Sequence, residues 1–233
     1  MMRKSVLRWE ELPSYKIKSL DRNLPIVVPI GGMEAHAHLP VGCDTIAAKE
    51  LAELACKETG AVLAPAINYG VLAPDEKAGD IQVELGTFTE YIFQIVECFY
   101  GHGFKKIIIV NGHGGNTDGL EFVCSKVYKR HKDIKIRVYH WWLDDVADEW
   151  KSIIQEGLHA DRGETDLMLA LRPELVELAQ ARDYVPEKRE AWYYIPGSVV
   201  DGHPTQATPE EGKLVLEVVL RNLIGLIERA KSE

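Results

Sequence analysis

The sequence predicts an α/β fold in which helices cover both faces of a mostly parallel sheet. Two observations support this prediction. Short β-branched runs bounded by turn formers alternate with longer segments in which apolar residues recur at three- and four-residue spacing. The resulting order, β-α-β-α-β-α-β, favours parallel strands joined by right-handed crossovers. Because no linker divides the 233 residues, we interpret residues 1–233 as a single domain.

Four apolar runs predict the strands, because strands covered on both faces are apolar almost throughout. They span residues 24–30, 61–67, 106–110 and 134–139. Helices are predicted over residues 45–58, 87–100, 116–130, 164–171 and 209–231. Asp44 and Asn116 are placed as N-caps of the first and third helices. The irregular segment 179–207 is predicted to form a substrate-side lid or an interface.

Composition narrows the class of partner. The formal net charge of -9 argues against a nucleic-acid partner, whose phosphates require a basic surface, and favours a neutral or weakly charged small substrate. No apolar stretch approaches the roughly 20 residues that a membrane helix needs. The four cysteines include no CxxC pair, and the charged start of the chain does not read as a secretory signal. We therefore expect a reduced, cytoplasmic protein without a membrane partner.

Four potential metal ligands lie within the eleven residues 34–44, directly after the first predicted strand. They are Glu34, His36, His38 and Asp44. Side chains alternate along extended backbone, so Glu34, His36 and His38 are predicted to point the same way at spacings of roughly 7 Å. Carboxylates and imidazoles are donors that Zn and Mn accept. The alternative, a polar loop in which Asp44 only caps a helix, leaves the other three unexplained.

A glycine-rich turn, residues 111–116, follows the third predicted strand and contains His113. Ligands bind beyond the carboxyl ends of strands in open parallel sheets, and this turn places His113 at that edge. Its glycines permit a close approach of ligand or metal to the backbone. The turn could alternatively bind phosphate at a helix N-terminus. However, no GxGxxG follows the first strand and no GxxxxGK[ST] occurs in the sequence.

A third cluster, residues 159–166, contains His159 and Glu164, with Glu164 at the opening of a predicted helix. Taken alone, Glu164 could simply favour the positive end of that helix. Taken with the other two clusters, these residues are predicted to complete one site. The segment His140-Trp141-Trp142 either lines a pocket or packs in the core or at an interface.

These motifs resemble those of the creatininase (creatinine amidohydrolase) family. The resemblance covers nearly the whole chain and includes Trp9-Glu10-Glu11-Leu12, the three clusters above and Gly202-His203-Pro204-Thr205, in the family's order. It implies a three-layer α/β/α fold and a site for two divalent ions, Zn or Mn, with Fe as a further option. It also implies hydrolysis of a non-peptide C–N bond in a small, creatinine-like cyclic amide, and a homo-oligomer, often a hexamer.

The resemblance also implies roles for individual residues. Glu34 and His113 resemble ligands of one ion, His36 resembles a ligand of the other, and Asp44 resembles the carboxylate that bridges both. Glu164 resembles a further ligand or a base that acts on a metal-activated water, and His159 a proton shuttle. The bridging role suits a carboxylate, whose two oxygens can serve two cations.

Two departures from the family pattern limit these expectations. Only Ala37 separates the two histidines, where the family has two residues, so His36 is preferred as the ligand and His38 is the alternative. Gly115 stands where creatininase itself has an acidic ligand, which leaves Glu164 as the donor for the second ion and weakens the case for creatinine.

Glycine at that place occurs in family branches with other substrates. They include a formylaminopyrimidine nucleotide deformylase of archaeal flavin and deazaflavin synthesis and a peptidase of mycofactocin maturation. The deformylase is therefore an alternative function. A phosphorylated substrate would need cationic partners, for which Arg162, Arg182 and Lys188 are the candidates. An alternative of another class is a metal-stabilised scaffold without catalytic activity.

Overall fold

The described residues form a parallel five-stranded sheet. The computed structural model describes residues 5–72, 77–143, 151, 159–187 and 199–233. The strands are β1 (Leu7–Arg8), β2 (Ile26–Ile30), β3 (Val62–Leu63), β4 (Lys106–Asn111) and β5 (Lys135–His140). They lie in the order β1-β3-β2-β4-β5, and each neighbouring pair is parallel. The predicted parallel sheet is therefore confirmed.

Helices cover both faces of this sheet. They are α1 (Ser14–Ser19), α2 (Cys43–Thr59), α3 (Leu85–Gly101), α4 (Thr117–Arg130), α5 (Arg162–Leu171) and α6 (Pro209–Ser232). Helices α3 and α4 contribute apolar side chains to the core on one face, whereas α2, α5 and α6 contribute to the core on the other. The three-layer α/β/α architecture is thus confirmed.

Alternation along the central strands explains why both layers are stable. In β2, Val27 packs into the α2 layer while Val28 packs into the α3 layer, and Ile108 and Ile109 of β4 divide in the same way. All four side chains are at most 2% exposed. Because each buried aliphatic side chain stabilises the fold by about 1.5–3 kcal/mol, the two central strands form a rigid base for the loops that follow them.

Some predicted boundaries differ from the structure. The two-residue strand β1 was not predicted, because Leu7–Arg8 has no apolar run. The second predicted strand, residues 61–67, is paired as a strand only at Val62–Leu63. Pro65 lacks the N–H that a ladder requires, so the chain leaves the regular strand before it rejoins β2 at Ile67, whose N–H donates to the Pro29 carbonyl at 3.0 Å.

Of the two predicted N-caps, Asn116 is confirmed at the N-cap position of α4, whereas Asp44 is wrong. Helix α2 begins one residue before Asp44 with Gly42 as its N-cap, and the Asp44 side chain turns toward two histidines instead. Asn116 occupies the N-cap position of α4, but its side chain makes no capping hydrogen bond. It donates instead to the carbonyl of Gly31 at 3.0 Å and accepts from the N–H of Val71 at 3.0 Å. Both side chains therefore serve the loops at the sheet edge.

The strand order places a switch point between β2 and β4. From β2 the chain proceeds to β3 on one side, whereas β4 leads to β5 on the other. The loops after β2 and β4 therefore diverge and leave a crevice at their carboxyl ends, which is where ligands bind in folds of this kind. None of the helices in the described ranges is long and apolar enough to cross a membrane.

The irregular segment predicted over residues 179–207 is described in part. Its described portions include short 3₁₀ turns at Leu178–Gln180 and Pro204–Gln206 and a bridge between Tyr184 and Gly202. Residues 188–198, which include the candidate cation Lys188, lie outside the described residues. Its role as a lid or interface stays a prediction.

Candidate metal centre

Asp44 lies at the centre of the crevice between two histidines. Its Oδ1 lies 3.0 Å from His36 Nε2, and its Oδ2 lies 2.8 Å from His113 Nδ1. Asp44 is 2% exposed, His36 is 1% exposed and His113 is 6% exposed. The loop after β2 supplies His36, the start of α2 supplies Asp44, and the loop after β4 supplies His113. One carboxylate thus faces an imidazole with each of its oxygens.

Two further carboxylates and a third histidine complete the cluster. Glu34 Oε2 lies 3.2 Å from His113 Nδ1 and 3.8 Å from His159 Nδ1. Glu164 Oε1 lies 3.8 Å from His36 Nε2. The structure therefore brings together all the residues that the sequence indicated as ligands or catalytic groups, except that His38 lies apart from them. Three of these residues, Glu34, His113 and His159, are separated by long stretches of sequence.

Backbone carbonyls orient the three histidines. His113 Nε2 lies 2.8 Å from the Val71 carbonyl, His36 Nδ1 lies 2.8 Å from the Glu34 carbonyl, and His159 Nε2 lies 2.8 Å from the Ala35 carbonyl. Because a carbonyl oxygen only accepts, each of these nitrogens carries the hydrogen. In a neutral ring the other nitrogen then presents a lone pair, and in all three cases that nitrogen faces the carboxylates. Metal-binding histidines are held in this way.

A lone pair that faces a carboxylate is repelled unless a proton or a cation lies between them. His36 Nε2 and Asp44 Oδ2 are buried without a hydrogen-bond partner. Ligand atoms converge in three overlapping groups, each with all its atoms within 4.8 Å of one another. These groups are Glu34, Asp44 and His113; His36, Cys43 and Asp44; and Glu34, His36 and His159. The donor set therefore fits divalent cations.

The pKa values of the clustered histidines and of Asp44 are shifted by the same close approach of imidazoles and carboxylates. Burial alone would lower the pKa of His113, but Asp44 and Glu34 beside it raise that pKa to about 9. The pKa of His36 is raised in the same way, mainly by Asp44. Burial would raise the pKa of Asp44, yet the two imidazoles hold it below its ordinary value. A proton shared between an imidazole and the Asp44 carboxylate can therefore occupy the position in which the same atoms would bind a cation.

A tight turn separates the two neighbouring histidines. Ala37 has a φ of 51°, in the left-handed region, and the Leu39 N–H donates to the His36 carbonyl at 2.9 Å. The alternation predicted for extended backbone therefore ends at His36. His38 points instead toward α5, where its Nε2 lies 2.9 Å from Thr165 Oγ1. The prediction that Glu34, His36 and His38 share one direction is wrong for His38.

His38 begins a chain of contacts that leads to Glu164. The Thr165 hydroxyl donates to the Asp161 carbonyl at 2.6 Å, so it accepts from His38 Nε2–H. Asp161 caps α5 through Oδ1, which accepts from the Glu164 N–H at 2.9 Å. The Ala160 N–H donates to Glu164 Oε2 at 2.6 Å, which leaves Oε1 facing His36. The cap and this hydrogen bond together fix the direction of the Glu164 carboxylate.

Two glycines of the turn after β4 are required by close packing. A Cβ on Gly112 would lie 2.1 Å from the Asp44 carbonyl oxygen, and a Cβ on Gly115 would lie 2.0 Å from the Val71 carbonyl oxygen. The loop that contains Val71 therefore fills the space beside Gly115 and at the same time fixes His113. An acidic side chain at position 115 has no room in this arrangement.

The remaining conspicuous residues lie beside the cluster. Trp141 is 3% exposed and packs in the α2-side core, so the core interpretation holds for it. His140 Nδ1 lies 3.2 Å from Asn111 Nδ2. Among the candidate cations, Arg162 contacts Glu211 at 2.7 Å and Arg182 donates to the Ala181 carbonyl at 2.6 Å.

Sequence reasoning missed several contributors to this centre. The carbonyls of Val71 and Ala35 orient two histidines, but backbone atoms leave no signal in residue type. Thr165 was not singled out, although it lies one residue from Glu164. Cys43 belongs to no CxxC pair, and its position next to Asp44 is the sequence signal that could have identified it.

Comparison with known proteins agrees with these observations. A family model described as creatinine amidohydrolase matches residues 6–227. A creatinine amidohydrolase of Pseudomonas putida is 26% identical, over 95% of this chain and 94% of that protein. A 3-dehydro-scyllo-inosose hydrolase of Thermotoga maritima is 27% identical, over 87% of this chain and 76% of that protein. A mycofactocin precursor peptide peptidase of Mycolicibacterium smegmatis is 27% identical, over 88% and 84%.

Solved structures of creatininase share the fold. A manganese form has a TM-score of 0.81 at 22% identity, and it covers 97% of this chain and 98% of that one. A variant of zinc–zinc type has a TM-score of 0.80 at 22% identity, with the same coverage. Since the family model spans nearly the whole sequence, the chain belongs to the creatininase family of amidohydrolases.

Proposed function

We propose that the protein is a metal-dependent hydrolase that cleaves a non-peptide C–N bond in a small cyclic amide. The observation that carries this proposal is the position of Asp44, whose two buried oxygens each face a different imidazole. A structural ion-pair network would not need three histidines whose free nitrogens converge on carboxylates. Two divalent cations would find their ligands in this arrangement, with Asp44 available to both.

The residues divide into two sets of donors around Asp44. Glu34 and His113 would hold one ion, His36 and Glu164 the other, and Asp44 both. The donors are nitrogen and oxygen atoms that Zn and Mn accept, and Fe is compatible with them. Creatininase has been solved in a manganese form and in a zinc–zinc form, which supports these metals here.

When bound, a pair of such ions lowers the pKa of a water molecule and polarises the carbonyl under attack. The protein's own groups supply the proton transfers. Glu164 Oε2 is held by the Ala160 N–H, so Oε1 remains free to serve as a ligand or to accept a proton. His159 Nε2 is held by the Ala35 carbonyl, so Nδ1, near Glu34, is the atom that can give a proton to the departing nitrogen.

The substrate class follows from charge and from the relatives. Arg162, the candidate cation nearest the cluster in sequence, is engaged by Glu211 and lies 3.8 Å from Asp166. A phosphorylated nucleotide would have to compete with these carboxylates, which makes the deformylase the weaker candidate. The relatives act on creatinine, on an inosose and on a precursor peptide, as their names state. A small neutral amide fits this acidic chain best.

Location and assembly remain part of the proposal. We infer a cytoplasmic homo-oligomer that binds neither membrane nor nucleic acid, and the family resemblance implies six chains. The net charge of -9 supports the absence of a nucleic-acid partner. Light scattering of the purified protein measures the number of chains.

A substrate screen tests the function. The metal-free protein, reconstituted with Zn, Mn or Fe(II), is offered creatinine, other small cyclic amides and a formylaminopyrimidine nucleotide, and product formation is followed. Hydrolysis that requires added metal and disappears in Glu164→Gln and in His159→Ala supports the proposal. Full hydrolysis by the metal-free protein contradicts it. A non-catalytic scaffold would bind metal but would not hydrolyse any of these substrates.

A further inference from the structure

Cys43 lies inside the metal centre, although the roles described above do not use it. Its Sγ belongs to a group with a ring nitrogen of His36 and a carboxylate oxygen of Asp44, and all these atoms lie within 4.8 Å of one another. The side chain is 2% exposed. The thiol therefore lies among potential metal ligands and is shielded from water.

A second observation points to a ligand at the same place. His36 Nε2 is buried and has no hydrogen-bond partner, and His36 itself is 1% exposed. Cys43 also packs against Leu39 and Met168, which explains why the thiol is buried. Apolar packing does not explain why the sulfur lies beside an unpartnered imidazole nitrogen and a carboxylate. Among the described residues, no other cysteine belongs to a group of this kind.

We infer that Cys43 Sγ is a ligand of the cation on the His36 side of the centre. This inference rests on the proposed function. The donor set on that side becomes sulfur from Cys43, nitrogen from His36 and oxygen from Asp44, with Glu164 Oε1 3.8 Å from His36 Nε2. Four donors suit the tetrahedral geometry that Zn prefers. The His113 side contains only oxygen and nitrogen donors, so the two halves of the centre differ chemically.

On coordination the cation would replace the proton of the thiol: the S–H bond breaks, the sulfur forms a bond to the metal and one proton leaves to solvent. Cys43 is the first residue of the 17-residue helix α2, whose positive end favours a thiolate, but burial raises the pKa of this thiol, so the thiolate depends on the cation. A thiolate favours Zn, Co and Cd over Mn at this half.

Cobalt substitution tests the inference with a spectroscopic readout. The full-length protein is stripped of metal, kept anaerobic and titrated with Co(II) while absorption is recorded. A thiolate ligand produces a near-ultraviolet charge-transfer band, whereas oxygen and nitrogen ligands produce only weak visible bands. The wild type is expected to show the charge-transfer band, and Cys43→Ser is expected to lose it while Co(II) still binds. Cys56→Ser is the matched control, because Cys56 is equally buried on the same helix but lies in the apolar core.

A measurement on the unaltered protein covers the case in which Cys43→Ser fails to fold. The cadmium-113 resonance of the wild type loaded with ¹¹³Cd is expected far downfield, as a sulfur ligand requires. Co(II) that binds without a charge-transfer band, a band that survives in Cys43→Ser, or a cadmium shift typical of oxygen and nitrogen ligands would each overturn the inference and leave the metal-dependent function standing. Failure of the wild type to bind either metal would overturn both.

Discussion

Asp44 Oδ2 lies 2.8 Å from His113 Nδ1, where the start of α2 meets the loop that follows β4. The other oxygen of the same carboxylate faces His36 at 3.0 Å. In the neutral rings each hydrogen is directed away from this buried carboxylate, so the contact is costly to keep unless a cation or a shared proton lies between ring and carboxylate. The relationship explains why this carboxylate should control metal binding.

Replacing Asp44 by Asn is therefore expected to abolish binding at one or both halves of the centre. An amide keeps the shape of the side chain but offers one oxygen and no negative charge, so it cannot bridge two cations. Metal content after dialysis is the measurement, and Asp133→Asn is the control, because Asp133 is exposed and pairs with Lys105 and Tyr100, away from the metal centre. Equal metal content in wild type and Asp44→Asn would contradict the role.

The two neighbouring histidines are expected to respond differently to the same substitution. His36→Gln removes an imidazole whose Nε2 faces Asp44 and Glu164, so one equivalent of metal should be lost. His38→Gln should retain the metal, because His38 lies apart from the ligands. Its glutamine amide can still donate to the Thr165 hydroxyl, so the fold should keep this hydrogen bond. His38→Ala leaves no donor there and is expected to cost about 1–3 kcal/mol of unfolding free energy. The reverse pattern of metal loss would identify His38 as the ligand.

Ala37 provides a test of backbone strain. Its left-handed φ of 51° costs roughly 1–2 kcal/mol for a residue with a Cβ. Because glycine adopts this region freely but loses about 0.5–1 kcal/mol of chain entropy, Ala37→Gly is expected to raise the unfolding free energy by up to about 1.5 kcal/mol. Ala52→Gly, in the interior of α2, should lower it by about 1 kcal/mol or more. Urea denaturation of the metal-free protein measures both, and a loss of stability in Ala37→Gly would refute the strain.

Gly115 is expected not to tolerate even alanine. A Cβ there would lie 2.0 Å from the Val71 carbonyl oxygen and 2.6 Å from His113 Nε2. Relief requires Val71 to move away, which breaks the hydrogen bond that orients His113. We expect a loss of about 1–3 kcal/mol of stability together with weaker metal binding. The control is Gly86→Ala, whose added Cβ meets no atom within 4 Å. Unchanged metal affinity in Gly115→Ala would show that the Val71 contact is dispensable.

The layers of the fold could be predicted from the sequence because apolar periodicity is a local property. Apolar runs such as residues 106–110 predict buried strands. The three- and four-residue spacing of apolar residues between these runs predicts the helices. The short strand β1 could not be predicted, because it depends on pairing with β3 and has no apolar run of its own.

The sequence predicts which residues belong to the site, but it does not predict how their side chains are arranged. The motifs identified Glu34, His36, Asp44, His113 and Glu164, which the structure brings together. The direction of His38 depends on the single backbone conformation of Ala37, which residue type does not encode. The carbonyl contacts of Val71 and Ala35 arise from loops that meet only in the folded chain.

The metal content of the purified full-length protein tests the central claim most directly. After equilibration with Zn or Mn and removal of free metal, elemental analysis should find about two equivalents per chain, as a centre with one bridging carboxylate requires. A folded protein that retains no metal under these conditions would contradict the account of the Asp44 centre.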